Sequence, residues 1–297
     1  MLKVVSVFCV ILSLIILCGS PARAAGENPL FKIGQSEIFL LNEAESEREK
    51  SLLVGADETQ IKQYLPSGKF FMAVNVFLVR TPESLILVDA GYGPKLFDNL
   101  KKLNVSRDQI DAVLLTHMHA DHIGGLLLEG KPAFPKAKVY VAERERAYWT
   151  DTSIMATLPQ AQQERFVQVQ NTLRAYGDRV IIFNPGELGS EIADLLPGIR
   201  PVEAYGHTPG HTMYLLGSGK DQLLFWGDLT HAMAIQMPVP QVAMTFDVDP
   251  KAAAETRIKA LRYVVEHSLT VAGAHIPIPG AGRLSAQGAG YGFTALP

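Results

Sequence analysis

The chain has 297 residues, 47% apolar and 19% charged, a balance that excludes a disordered or fibrous protein and is ample for a buried core. Its formal net charge is −3 at pH 7. That argues against a nucleic-acid partner, which needs a basic stripe to neutralise phosphates.

At the start of the chain, Lys3 precedes an apolar run from Val4 to Cys18, and Ala22-Arg23-Ala24 follows. The run is short for a membrane span of about 20 residues, and the small residues suit a signal peptidase. Residues 1–24 therefore read as a signal peptide, cleaved after Ala24 or Ala25, and 25–297 as one domain, periplasmic or secreted, with no membrane contact once the signal is removed. An N-terminal anchor helix is the weaker alternative, and a lipoprotein through Cys18 is weaker still because Leu17 before it is bulky. Both cysteines, Cys9 and Cys18, fall in this segment, so the mature domain has neither thiol nor disulfide. Without Lys3 and Arg23, 25 basic residues face 30 acidic ones, a charge of −5.

A first strand is predicted over Phe31 to Leu41, and the charge run from Glu43 to Lys50 reads as a solvated helix face or loop. Apolar runs bounded by turn residues predict strands at Met72 to Arg80 and Ser84 to Asp89. Pro94 suits the first position of a helix reaching Leu103, and Asp111 to Thr116 reads as a buried strand. Lys138 to Ala142 is a further strand leading to a helix near Glu143 to Trp149. A second helix is expected over Pro159 to Ala175. Strands follow at Arg179 to Asn184, Thr212 to Leu216 and Gln222 to Trp226. Asp249-Pro250 combines an N-cap with a first-turn proline, opening a helix to about His267. Leu269 to Ala274 is the final predicted strand.

The densest chemistry lies in Thr116-His117-Met118-His119-Ala120-Asp121-His122-Ile123-Gly124-Gly125, with four potential metal ligands in six residues after a buried strand. In an extended turn, residues two apart project to the same side, so His117 and His119 can converge on one metal while Asp121 and His122 reach a second. Gly124 and Gly125 would let the following helix approach closely. Two adjacent cations repel, and a shared carboxylate offsets that repulsion. Asp228, at the end of the apolar stretch Phe225-Trp226-Gly227, is the candidate bridge. His207 in Gly-His-Thr-Pro-Gly-His and His275 in Ala-His-Ile-Pro complete the shells. Imidazole and carboxylate suit Zn²⁺ and also accept Mn²⁺, Fe²⁺ or Co²⁺.

The pattern His-x-His-x-Asp-His followed by His, Asp and His resembles that of the metallo-β-lactamase-fold superfamily, from about Phe31 to the C-terminus. The resemblance implies an αββα sandwich, two mixed β-sheets flanked by helices, holding two divalent ions. One would be bound by His117, His119 and His207 and the other by Asp121, His122 and His275, with Asp228 bridging. It places His211 outside the ligand set and makes Asp89 a supporting carboxylate. Thr-His-Met-His-Ala-Asp-His-Ile-Gly-Gly, Gly-Asp-Leu, Ala-His-Ile-Pro-Ile-Pro-Gly and a short Gly/Tyr tail are similar to the methyl parathion hydrolase branch. That branch implies a homodimer and an aromatic substrate pocket, onto which Trp149 and Phe166 carry over. His231 stands where the branch can have an aliphatic pocket residue, a departure that puts organophosphate activity in doubt.

The expected activity is hydrolysis of a small-molecule ester, lactone or phosphotriester by a metal-bridging hydroxide, with Asp121 and Asp228 in the catalytic set. A β-lactamase of this fold usually carries a cysteine or other non-carboxylate where Asp228 stands. A glyoxalase II needs a longer helical C-terminal region than the 22 residues after His275. A diiron electron carrier needs a flavin domain, and a nucleic-acid-processing member needs an inserted domain and a basic surface. An exported, non-catalytic metal-binding protein is the alternative from another class.

Overall fold

Strands Leu85–Val88, Ala112–Leu114 and Lys138–Ala142 are apolar at nearly every position, as expected of strands covered on both faces. The computed structural model describes residues 29–296, so the signal-peptide reading of residues 1–24 lies outside the described residues. A seven-stranded sheet runs in the order Phe31–Ile33, Ser36–Glu49, Lys69–Arg80, Leu85–Val88, Ala112–Leu114, Lys138–Ala142, Val180–Phe183. Its last four strands are parallel neighbours and the rest antiparallel. A six-stranded sheet runs Ile199–Glu203, Thr212–Ser218, Asp221–Phe225, Thr270–Ala272, Ala281–Gln287, Gly290–Ala295.

Side-chain alternation divides the core into layers. Phe77, Val79, Ile86, Val88 and Leu114 of the first sheet pack on Tyr214, Leu216, Leu223 and Phe225 of the second. The intervening residues Val76, Leu78, Leu87 and Val113 face outward onto Leu96 and Leu100 of helix Pro94–Lys102 and onto Phe166 and Val169 of helix Gln160–Tyr176. On the far side, Met213, Leu215, Leu224 and Val271 meet Ala260, Leu261 and Val264 of helix Pro250–Glu266. The order helix, sheet, sheet, helix is the expected αββα sandwich. No helix among the described residues is long and apolar enough to cross a membrane.

Three readings are corrected. The run Glu43 to Lys50 is neither helix nor loop: through Glu49 it continues the strand begun at Ser36, paired with Lys69–Arg80. Acidic residues are poor strand formers, but the long antiparallel ladder overrides that preference. Its register shifts between Asn42 and Ala44, a bulge that re-aims Glu43 inward. The buried Glu43 carboxylate accepts the backbone N–H groups of Tyr92, Gly93 and Leu96, and so supplies the anion that helix Pro94–Lys102 lacks at its glycine N-cap. Second, Ile199–Glu203 is a strand that Pro201 concealed; as an edge strand it tolerates the missing donor. Third, Leu269 to Ala274 is not the last strand, because the glycine-rich tail forms the hairpin Ala281–Gln287/Gly290–Ala295. A Cβ on Gly282 would lie 2.4 Å from the Phe293 ring, so the absence of a side chain lets that ring cross the strand.

Gly125 does make a close approach, but to the loop after Val88 and not to a following helix. A Cβ there would meet the Ala90 carbonyl oxygen at 2.2 Å and Gly93 Cα at 3.0 Å. Gly125→Ala should therefore destabilise the metal-free protein by about 1–3 kcal/mol, seen as a lower urea midpoint; an unchanged midpoint would contradict this packing.

Candidate metal centre

The parallel strands end side by side and release the site residues at their C-terminal edge, where α/β sheets usually bind ligands. Phe225 is registered opposite Ala272, and Val88 opposite Leu114. His117, Asp228 and His275 each stand three residues beyond the end of their strands, Ala112–Leu114, Asp221–Phe225 and Thr270–Ala272. His207 follows Ile199–Glu203.

All seven sequence-selected ligands meet there. His117 Nε2 lies 2.9 Å from His119 Nδ1 and 3.1 Å from His207 Nε2, and the latter two nitrogens are 3.0 Å apart. Three ring nitrogens that close cannot all be paired by hydrogen bonds; their lone pairs share one target. Zn–N bonds of about 2.0–2.1 Å in tetrahedral array would separate nitrogens by roughly 3.3 Å. In a second group, His275 Nε2 is 3.6 Å and His122 Nε2 3.8 Å from Asp121 Oδ2. Asp228 stands between them. Its Oδ1 is 3.1 Å from His122 Nε2, and its Oδ2 is 3.1 Å from His207 Nε2 and 3.0 Å from His275 Nε2. His122 Nε2 and Asp228 Oδ1 are fully buried yet have no hydrogen-bond partner among the described residues. A buried nitrogen and a buried carboxylate oxygen 3.1 Å apart without a well-formed hydrogen bond, in a nitrogen and carboxylate donor set, fit divalent metal ions.

The outward-facing ring atoms are fixed as metal-binding histidines require. His122 Nδ1 is 2.8 Å from Asp89 Oδ2, and Asp89 also accepts from the Thr116 backbone N–H and hydroxyl. This fulfils the supporting role implied for Asp89, which is held at φ +64. His275 Nδ1 donates to the Ala73 carbonyl at 2.6 Å. His207 Nδ1 meets Asp247 Oδ1 at 2.7 Å, and Asp247 Oδ2 accepts the Met244 N–H. Sequence reasoning missed Asp247, which sits 40 positions from its partner in a loop without a motif. His211 accepts the Asp228 N–H at 3.0 Å through Nε2 and donates through Nδ1 to Ala204, in keeping with its place outside the ligand set.

Trp149 and Phe166 both serve the core and line a pocket of about 500 Å³ that reaches His119. Tyr148, Leu52 and Phe246 complete much of its apolar wall. Leu52 and Phe246 lie near the small sheet pairing Leu53–Val54 with Ala243–Met244, a long-range contact with no local signal. His231 is not in that wall. It is buried beside the metal ligands, Nε2 3.0 Å from Asp228 Oδ2 and its ring stacked on His275 at 4.6 Å. Of the eight histidines, only His267 lies away from this cluster; it is exposed and bonded to the Tyr263 carbonyl, at the helix end where it was expected.

The family model of the metallo-beta-lactamase superfamily matches residues 70–275, and the chain belongs to that superfamily. It superposes with a TM-score of 0.78 and 29% identity on the hydrolase AbOPH of the beta lactamase superfamily, covering 89% of this chain and 95% of that one. AidC, a dizinc quorum-quenching lactonase, gives the same TM-score and coverage at 27% identity. Among curated relatives, the uncharacterized protein YobT of Bacillus subtilis (strain 168) is 30% identical over 146 residues, 48% of this chain and 56% of that protein. The chain thus spans only about half the length of that relative.

Proton occupancy of the ligands gives a direct test. Burial opposes charge on His122, His207 and His275, but the surrounding carboxylates outweigh it: all three pKa values are raised, that of His207 to about 9 by Asp228 and Asp247. Burial and neighbouring histidines hold His117 and His119 well below their ordinary value. At pH 7 the raised group carries protons, and a metal needs the free imidazole lone pair, so binding must expel them. Calorimetry of Zn²⁺ uptake in buffers of different ionisation enthalpy should show net proton release at pH 7, with apparent affinity rising towards pH 9. Proton-neutral binding would contradict the assignment.

Proposed function

We propose that this hydrolase holds one divalent ion, most suitably Zn²⁺, through His117, His119 and His207 and a second through Asp121, His122 and His275, with Asp228 shared, and that it cleaves an ester, lactone or phosphotriester. Bound ions of this kind lower the pKa of water towards neutrality and polarise a carbonyl or phosphoryl oxygen. Asp228, 3% exposed, faces both halves of the site, with Oδ2 near His207 and His275 and Oδ1 near His122. Asp121 is the most accessible of the acidic ligands, with its side chain 19% exposed, and so is placed to pass a proton between the site and solvent. Neither role needs a protein nucleophile.

The observation that carries the substrate reading is the aromatic pocket against His119. Its aromatic and aliphatic side chains, set alongside the polar Gln162 and Arg165, favour a substrate with an acyl or aryl group held by Trp149 and Phe166. The likeness to a lactonase and to AbOPH supports the same reading, and fits the methyl parathion hydrolase-like branch suggested by the motifs. Initial rates on a panel of lactones, aryl esters, phosphotriesters and β-lactams test it: one of the first three classes should dominate, whereas a leading β-lactam rate would overturn it. Asp228→Ala should lower that rate by about 10²–10⁴-fold while one ion is still retained, given the several kcal/mol a metal contributes and tenfold per 1.4 kcal/mol. Unchanged turnover would remove Asp228 from the mechanism, and no turnover on any substrate by the wild-type, metal-loaded protein would favour a non-catalytic binder.

We also propose that the domain is exported, on the strength of Lys3, the apolar run Val4 to Cys18 and Ala22-Arg23-Ala24. N-terminal sequencing of the protein from a periplasmic or culture fraction should begin at Ala25 or Gly26, and an intact Met1 would contradict export by cleavage.

A further inference from the structure

One buried anion near the site bonds to no metal ligand side chain. Glu145, 1% exposed, lies in helix Glu143–Thr150. Its carboxylate accepts four hydrogen bonds. Oε1 takes the Met118 N–H at 2.8 Å and the Trp149 indole N–H at 2.7 Å, and Oε2 takes the Thr208 hydroxyl at 2.6 Å and the Gly210 N–H at 3.0 Å. No cation forms a salt bridge with it among the described residues. A buried carboxylate without a cationic partner is costly, so ordinary core packing does not account for it.

Its four partners share one property. Met118 separates His117 from His119, Thr208 and Gly210 follow His207, and Trp149 sets its ring edge against His119 at 5.7 Å. Every bond ends on a segment that orients the three-histidine half of the site. The other half is held differently, by Asp89 on His122 and the Ala73 carbonyl on His275. The contact is also backbone-tight: a Cβ on Gly210 would lie 2.1 Å from Glu145 N, which explains the glycine in His-Thr-Pro-Gly-His.

We propose that Glu145 is a positioning residue for the three-histidine half, clasping the loops of His117, His119 and His207 and adding a nearby negative charge that strengthens divalent-cation binding there and not in the Asp121, His122 and His275 half. This rests on the metal assignment of the preceding section. Glu145→Gln keeps the size but removes the charge. Its amide oxygen can hold two of the donors; its NH2 faces the Gly210 N–H, which can only donate, while Thr208 can turn its hydroxyl to accept.

The test is Zn²⁺ titration of metal-free protein against a chromophoric chelator, with thermal melts of the same samples. Wild type should show two binding steps, one of them lost in His207→Ala. In Glu145→Gln that same step should weaken by about 10- to 100-fold, the usual effect of losing a supporting carboxylate, with the other step unchanged and the melt cooperative. Two unchanged steps, or equal weakening of both, would overturn the proposal. If Glu145→Gln does not fold, Thr208→Val, which removes one of the four bonds, should weaken the same step selectively, and wild-type affinities at both steps would overturn the clasp. Uptake of fewer than two ions by the wild type would instead overturn the metal assignment beneath it.

Discussion

Everything at this site turns on the Asp228 carboxylate. It is a buried anion ringed by imidazoles, with His122, His207, His231 and His275 nitrogens 3.0–3.1 Å from its oxygens. Removing an ionised carboxylate from water costs several kcal/mol unless opposite charge compensates it. The surrounding histidines drive its pKa well below the ordinary value although burial pushes the other way. The carboxylate therefore stays charged, and a charged group facing both halves of the cluster is what two neighbouring cations require.

The fold places that carboxylate by economical means. Two sheets packed face to face bring their strand ends to a common edge, so His117 from one sheet meets Asp228 and His275 from the other. Backbone groups do much of the aiming: the Ala73 carbonyl turns His275, and the Asp228 N–H is anchored by His211. Carboxylates a layer further out, Asp89, Asp247 and Glu145, set ring orientation and loop spacing. His231 is the exception, since it touches Asp228 but its Nδ1 has no hydrogen-bond partner among the described residues. It lies against the carboxylate and behind Phe246, whose ring it meets at 4.7 Å, and does not itself line the pocket beside His119.

The seven clustered side chains were legible in the sequence because each is part of a compact motif, which for all but His207 follows a recognisable apolar strand, and because metal chemistry tolerates few side chains. The helix from Pro250 was equally plain, since Asp249 and Pro250 act locally; the Asp249 side chain accepts the Ala252 N–H as an N-cap should. What could not be read depends on distant partners. Glu43 looks like one acid in a charged run until a bulge turns it towards a helix start some 50 residues away. Asp247 and Glu145 are ordinary acidic residues until the fold brings His207 and its loop against them. The C-terminal hairpin was obscured by glycines whose purpose, making room for Phe293, exists only in the paired strands.

The most direct test of the account is X-ray diffraction from metal-loaded crystals at energies on either side of the zinc absorption edge. Two anomalous peaks should flank Asp228, about 3.5–4 Å apart, one within bonding reach of His117, His119 and His207 and the other of Asp121, His122 and His275. A single peak, or ions bound elsewhere with these side chains unliganded, would contradict it.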